Sequence, residues 1–144
     1  MLELHGFRYV DGETGIGSGG EYARGAFVRG DRRLEFSVRE SLGQVVYYAA
    51  GTVVAHEFYM RGKLGRHAPN EYPGSSNDPI EEFRYLARDL EHYCAEFLTG
   101  SDSEFLAVAA RAEAAKLETA LRCSPSRDAA LTPHNRAVDM LQGL

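Results

Sequence analysis

Six residues from Gly15 to Gly20 spell G-x-G-x-x-G, the glycine spacing that lets backbone close on a pyrophosphate when a helix N-terminus comes after it. The next segment, Glu21 to Gly30, "EYARGAFVRG", alternates like a strand and carries no helical stripe. The two lysines, Lys63 and Lys116, stand nowhere near a Walker position. The glycines therefore predict a flexible hairpin loop, since a dinucleotide fingerprint belongs inside a βαβ unit. Further on, "HEFYM" at His56 to Met60 begins like H-E-x-x-H, but Met60 takes the second histidine's place. A catalytic zinc takes three protein ligands, and His5, His67, His92 and His134 are scattered over different segments. No metal is expected, and His56 and Glu57 read as a solvated helix start. No G-x-S-x-G is present. Cys94 falls on an apolar helix stripe, where a thiol is buried and inert. Glu81 and Glu82 are helical neighbours that do not face one site; they read as first-turn acids favoured by the helix dipole. These residues assign no catalytic set and no cofactor.

Two surfaces remain as candidates. The segment "NEYPGSSNDP" joins two helices as a loop, and loops on a rigid scaffold often carry binding groups. Together with the His56 helix it offers Glu57, Tyr59, Asn70, Tyr72 and Asp78 as the polar groups of a ligand cleft. The other candidate is one face of an N-terminal sheet, holding Tyr22, Arg24, Arg39 and Tyr48. Tyr and Arg are enriched at protein interfaces, although Arg stacked across strands on Tyr also stabilises a sheet surface by itself.

Residues 1–50 position that face. Strand patterns close at "FRYV", run through "EYARGAFVRG" and "RRLEFSVRE", and end at "QVVYYAAG". Gly30-Asp31 suits a tight hairpin turn, and the short connections require antiparallel order. Pairing Arg29 with Arg32 sets Phe27 against Leu34, Gly25 against Phe36 and Ala23 against Val38, an apolar face. Tyr22 then falls opposite Arg39 on the other face, with Arg24, Ser37, Val46 and Tyr48. Placing Glu40 against Val45 sends Val45, Tyr47 and Ala49 to the core. From residue 53 the period changes to that of a short helix ending at Gly65. A second helix opens with Asp78 as cap, Pro79 behind it and Glu81 three residues on. Its stripe is Ile80, Phe83, Leu86, Leu90, Tyr93, Cys94 and Phe97. After Thr99-Gly100, Ser101 and Glu104 form a capping box for an Ala-rich helix to about Arg122. The expected fold is one α+β domain over 1–144. A four-stranded antiparallel meander (1–50) carries a helical hairpin (within 53–123) on one face. A linker and a short terminal helix from Thr132-Pro133 fill 124–144.

Composition bounds the partners. The chain has 144 residues, 44% hydrophobic and 26% charged, ordinary for a globular domain. No apolar run approaches the roughly 20 residues of a membrane helix, and "MLELHGFRYV" lacks a signal-peptide core. The expectation is a cytoplasmic chain with no membrane partner. The net charge is −5. Through residue 66 there are 9 basic and 8 acidic residues; beyond it there are 7 and 13. That acidic balance argues against nucleic acid, whose binding depends on many phosphate contacts. In the expected hairpin Cys94 and Cys123 lie far apart along the helices, beyond disulfide reach.

The runs "HEFYMRGKLG", "NEYPGSSNDPIEEFRYLARDLEHYCAEFLTG" and "SGGEYARGAFVRGDRRLEFSV" resemble a group of small bacterial proteins with a strand-rich front and a Y-P-G…D-P helix start. The general build is similar to immunity proteins that neutralise polymorphic toxins, without shared motif residues. The resemblance assigns no activity and no site residue. The missing catalytic set, the acidic back half and the Tyr/Arg face lead instead to the expectation of a non-catalytic module, immunity-like in build, that binds a protein partner or a second copy of itself. Such a partner would dock on the Tyr/Arg sheet face or on helices bearing Glu81, Glu82, Asp89, Glu91 and Glu96. The alternative expectation is a small enzyme or ligand-binding protein using the cleft of residues 56–78.

Overall fold

The computed structural model describes residues 1–124, so the expected terminal helix lies outside the described residues. A single-turn 3-10 helix (Leu2–His5) leads into five strands: β1 (Arg8–Gly17), β2 (Gly20–Arg29), β3 (Arg32–Arg39), β4 (Ser41–Ala49) and β5 (Thr52–Ala55). They form one antiparallel sheet in sequence order. Four helices come after the sheet: α1 (His56–Leu64), α2 (Pro79–Tyr93), α3 (Ala95–Leu98) and α4 (Asp102–Cys123). None of these helices is long and apolar enough to cross a membrane.

The β2–β3 hairpin has the expected register from Arg29↔Arg32 to Ala23↔Val38. Gly30 takes a φ of 58° in its turn, the left-handed region that glycine enters without steric cost. Leu34, Val45 and Tyr47 are buried on the inner face, with Phe27 and Phe36 half-buried beside them.

Four expectations need correction. The first strand does not close at Val10 ahead of a glycine loop: it runs from Arg8 to Gly17, and pairing with β2 across an irregularity between Asp11 and Thr14 takes Gly15 and Gly17 into the sheet. The sheet has five strands, because residues 52–55 pair with β4 before any helix begins. Ala50 and Gly51 both sit at positive φ, 51° and 70°, as a two-residue primed turn requires. The β3–β4 register also differs: Phe36 faces Val45 and Leu34 faces Tyr47, because Glu40 makes the turn at a φ of 63°. Over Arg33 to Phe36 the slip is an even number of residues, so Val45, Val46, Tyr47 and Tyr48 keep their assigned faces, and a bulge between Phe36 and Val38 takes up one further residue before the turn. Finally, no hairpin of α2 and α4 forms. The helix over 79–97 breaks at Cys94 into α2 and the one-turn α3, and α4 packs along α1.

Local chemistry explains those helices. The Asp78 carboxylate accepts the Ile80 N–H at 3.0 Å with Pro79 at the first position. Ser101 and Glu104 complete the reciprocal capping box of α4. Arg32 sits in the inward phase of β3 and is 5% exposed. It donates to the carbonyls of Glu96, Phe97 and Gly100 at 2.6–2.9 Å, groups that α3 leaves unpaired at its end. Gly62 permits the α1–α4 contact: a Cβ there would lie 2.5 Å from the Ala112 backbone nitrogen.

Candidate functional site

Two groups of side chains could do chemistry. The first is internal. Tyr47 projects inward from β4, His56 opens α1, and Asp89 and Cys94 lie on the buried side of α2 and at its end. The Tyr47 hydroxyl meets His56 Nδ1 in a short hydrogen bond. His56 Nε2 is 3.0 Å from Asp89 Oδ2, and Tyr47 Oη is 3.7 Å from Cys94 Sγ. Asp89 also accepts the backbone N–H groups of Glu71 at 2.7 Å and Tyr72 at 2.8 Å. Assigned from this network, Nε2 of the imidazole donates to Asp89, and Nδ1 faces the Tyr47 hydroxyl.

On paper this is a base with an orienting carboxylate beside a hydroxyl and a thiol. Its burial decides against that use. Tyr47, Asp89 and Cys94 are 0% exposed and His56 is 2% exposed. Burial pushes the Cys94 thiol up to about 12, leaving no thiolate at neutral pH. Burial, with the neighbouring Cys94 as the next cause, also drives the Tyr47 hydroxyl well above its ordinary range. What the arrangement does is tie β4, α1, α2 and the 70–73 segment together through satisfied polar groups. His56 is therefore an interior residue, contrary to the solvated helix start expected of it. Glu57, by contrast, is exposed and pairs with Arg61 at 3.2 Å.

The second group lies on the outer face of the sheet. The Tyr22 hydroxyl donates to Glu13 Oε1 at 2.8 Å. Guanidinium carbons of Arg24 and Arg39 each stand 5.8 Å from the Tyr22 ring centre. Arg24 also approaches the other Glu13 oxygen at 3.7 Å. Arg39 is exposed, Arg24 keeps most of its side chain in solvent, and Tyr22 is half-buried between them. Tyr48 is half-buried further along the same face. Burial and the Glu35 carboxylate raise its hydroxyl pKa.

This arrangement gives the glycine motif its role. A Cβ at Gly15 would meet the Tyr22 hydroxyl at 2.9 Å, and one at Gly19 would meet Arg39 Nη1 at 2.1 Å. The bare hairpin leaves room for a ring and a guanidinium to lie over it. No family model, curated protein or solved structure matches this chain. The geometry of the two clusters is therefore what bears on function.

The five residues suggested for a cleft have separate engagements. Tyr59 is fully buried with its hydroxyl on Glu96 at 2.7 Å. Tyr72 is buried, donates to the carbonyls of Leu42 and Gly43, and is pushed up to about 12 by burial and then by Glu82. Asn70 turns back to the Tyr72 carbonyl at 2.6 Å, Asp78 caps α2, and Glu57 points outward.

The acidic helix surface is thinner than expected. Glu82 is 2% exposed and Asp89 is enclosed. Glu96 pairs inward with Lys63 at 2.9 Å. Of Glu82's oxygens, Oε2 accepts the Gly74 N–H at 3.2 Å, while Oε1 has no partner among the described residues. The missed interior residues left a trace in the sequence. Glu82 and Asp89 fall on the stripe through Leu86, Leu90 and Tyr93, and Arg32 shares the inward phase of Leu34 and Phe36. A charge in an apolar phase signals a buried partner.

Proposed function

We propose that this chain is a non-catalytic binding module that holds a protein partner through the outer sheet face around Tyr22, Arg24, Arg39 and Tyr48. The observation that carries the reading is the fixed Tyr22 ring, held by Glu13 and flanked by two solvent-facing guanidinium groups. An aromatic and arginine cluster already ordered on a rigid sheet loses little side-chain entropy on docking, which is the usual make-up of an interface hot spot. The sealed state of the His56–Asp89 network supports a role without catalysis. An immunity-like role is the form this proposal takes when the partner is a toxin.

The test is affinity capture from the native host with the wild-type chain and a Tyr22→Ala/Arg39→Ala variant, alongside sedimentation of both. A partner, or a second copy, held by the wild type and lost by an equally stable variant is the expected outcome. Equal retention by both, or no association of either kind, contradicts the proposal.

A further inference from the structure

A cleft of about 570 Å³ lies between the end of α1 and the second half of α4, away from the Tyr22 face. Its walls carry Arg61, Arg66, Arg111 and Arg122 with His67, against a single carboxylate, Glu118. This concentration of cations is unexpected in a chain of net charge −5. Helix ends account for part of it. Arg61 and Arg122 lie in the last turns of α1 and α4, where cations offset the negative end of the dipole. Both are also engaged: Arg61 with Thr119 at 2.9 Å and Glu57 at 3.2 Å, Arg122 with Glu118 at 2.7 Å.

Arg66 and Arg111 have no such explanation. Arg66 is in the loop after α1 and Arg111 stands mid-helix. Both are exposed, and neither has an ion pair or side-chain hydrogen bond among the described residues. Two arginines whose donor forks have no side-chain partner among the described residues thus face one concavity lined also by small residues such as Gly62, Gly65 and Ala115. Bare backbone there lets a ligand descend between the guanidinium groups. The Gly62–Ala112 contact fixes the spacing of α1 and α4, so the arginines are held on a rigid frame.

We propose that this cleft binds a small ligand bearing phosphoryl groups. Guanidinium forks match phosphoryl oxygens in bidentate geometry, and the volume lies in the range of small-molecule sites, about 300–1,000 Å³. Arg111 and Arg122 are eleven residues apart on α4, roughly 16 Å along its axis. A lone phosphate therefore meets only one end of the cleft, and a ligand with two or more linked phosphoryl groups engages more of it.

Titration calorimetry of the full chain with inorganic pyrophosphate tests this, with orthophosphate and citrate as comparison anions. Saturable 1:1 pyrophosphate binding is expected, tighter than orthophosphate or citrate and weakening as salt rises. Arg66→Gln and Arg111→Gln remove exposed groups that have no side-chain partner among the described residues, so both variants are expected to fold. Each weakens pyrophosphate binding by about 10-fold, the scale of one lost charge-assisted hydrogen bond. Arg84→Gln, exposed on α2, leaves it unchanged. No saturable binding, citrate binding as tightly as pyrophosphate, or equal affinity in all three variants overturns the proposal.

Discussion

The Tyr47–His56–Asp89 cluster and the Tyr22–Arg24–Arg39 cluster draw on similar side chains, and solvent separates their uses. In the first, every hydrogen bond runs to another part of the same chain, and Asp89 alone gathers an imidazole and two backbone amides. In the second, the Tyr22 ring is fixed by Glu13 while Arg24 and Arg39 keep much of their surface free. Groups able to do chemistry indicate a site only where a ligand can reach them. Inside, the same groups serve assembly.

The comparison breaks first at Asp89. Asp89→Ala strips the acceptor from His56 and from the Glu71 and Tyr72 amides, and a buried donor left bare costs roughly 1–3 kcal/mol. A loss of about 3–5 kcal/mol is expected in urea unfolding, the scale of breaking a buried charged network. Gly62→Ala comes next. A mid-helix Gly→Ala change ordinarily stabilises by about 0.5–1 kcal/mol. Here the added methyl meets the Ala112 backbone, so a destabilisation of about 1–3 kcal/mol is expected. The reversed sign is the diagnostic, read from the shift in melting temperature.

A smaller effect is tied to pH. Burial alone would raise the Glu96 carboxyl, but hydrogen bonds from Lys63 and Tyr59 outweigh it and hold its pKa below the ordinary 4.5. A carboxyl lowered on folding contributes its stability in full above the ordinary value and loses it as pH falls through the lowered one. The wild type is thus expected to lose on the order of 1 kcal/mol more than Glu96→Gln over that acid window, seen by comparing their melts as the medium is acidified from near neutrality. The smallest effect belongs to the outer face. Tyr22→Ala is expected to change stability by no more than about 0.5 kcal/mol, while abolishing partner capture.

How much of this was legible depends on how local each signal is. The β2–β3 pairing rests on Gly30-Asp31 and an alternation a few residues long, and both can be read from the chain. β5 was hidden by Ala50, which enters positive φ without being Asn, Asp or Gly. The outer-face residues Tyr22, Arg24 and Arg39 kept their side because the β2–β3 register is the expected one, and Tyr48 kept its side because the β3–β4 slip is even where β4 pairs with Arg33 to Phe36. The His56–Asp89 pair joins residues thirty-three positions apart, and Arg32 reaches carbonyls more than sixty positions on. Periodicity shows that such a charge lies in an apolar phase, but the partner is set by tertiary packing. The choice of α1 as the neighbour of α4 is likewise tertiary, since it depends on Gly62 meeting Ala112.

The division between a closed interior cluster and an open outer face is tested most directly by the two cysteines. Cys94 sits within the buried network, and Cys123 is exposed at the end of α4. Thiol labelling of the native protein near neutral pH should modify one cysteine per chain, Cys123, with Cys94 reacting only after denaturant unfolds the chain. Rapid labelling of Cys94 in the folded protein would show that reagents reach the His56–Asp89 cluster, and would contradict its assignment as a sealed structural network.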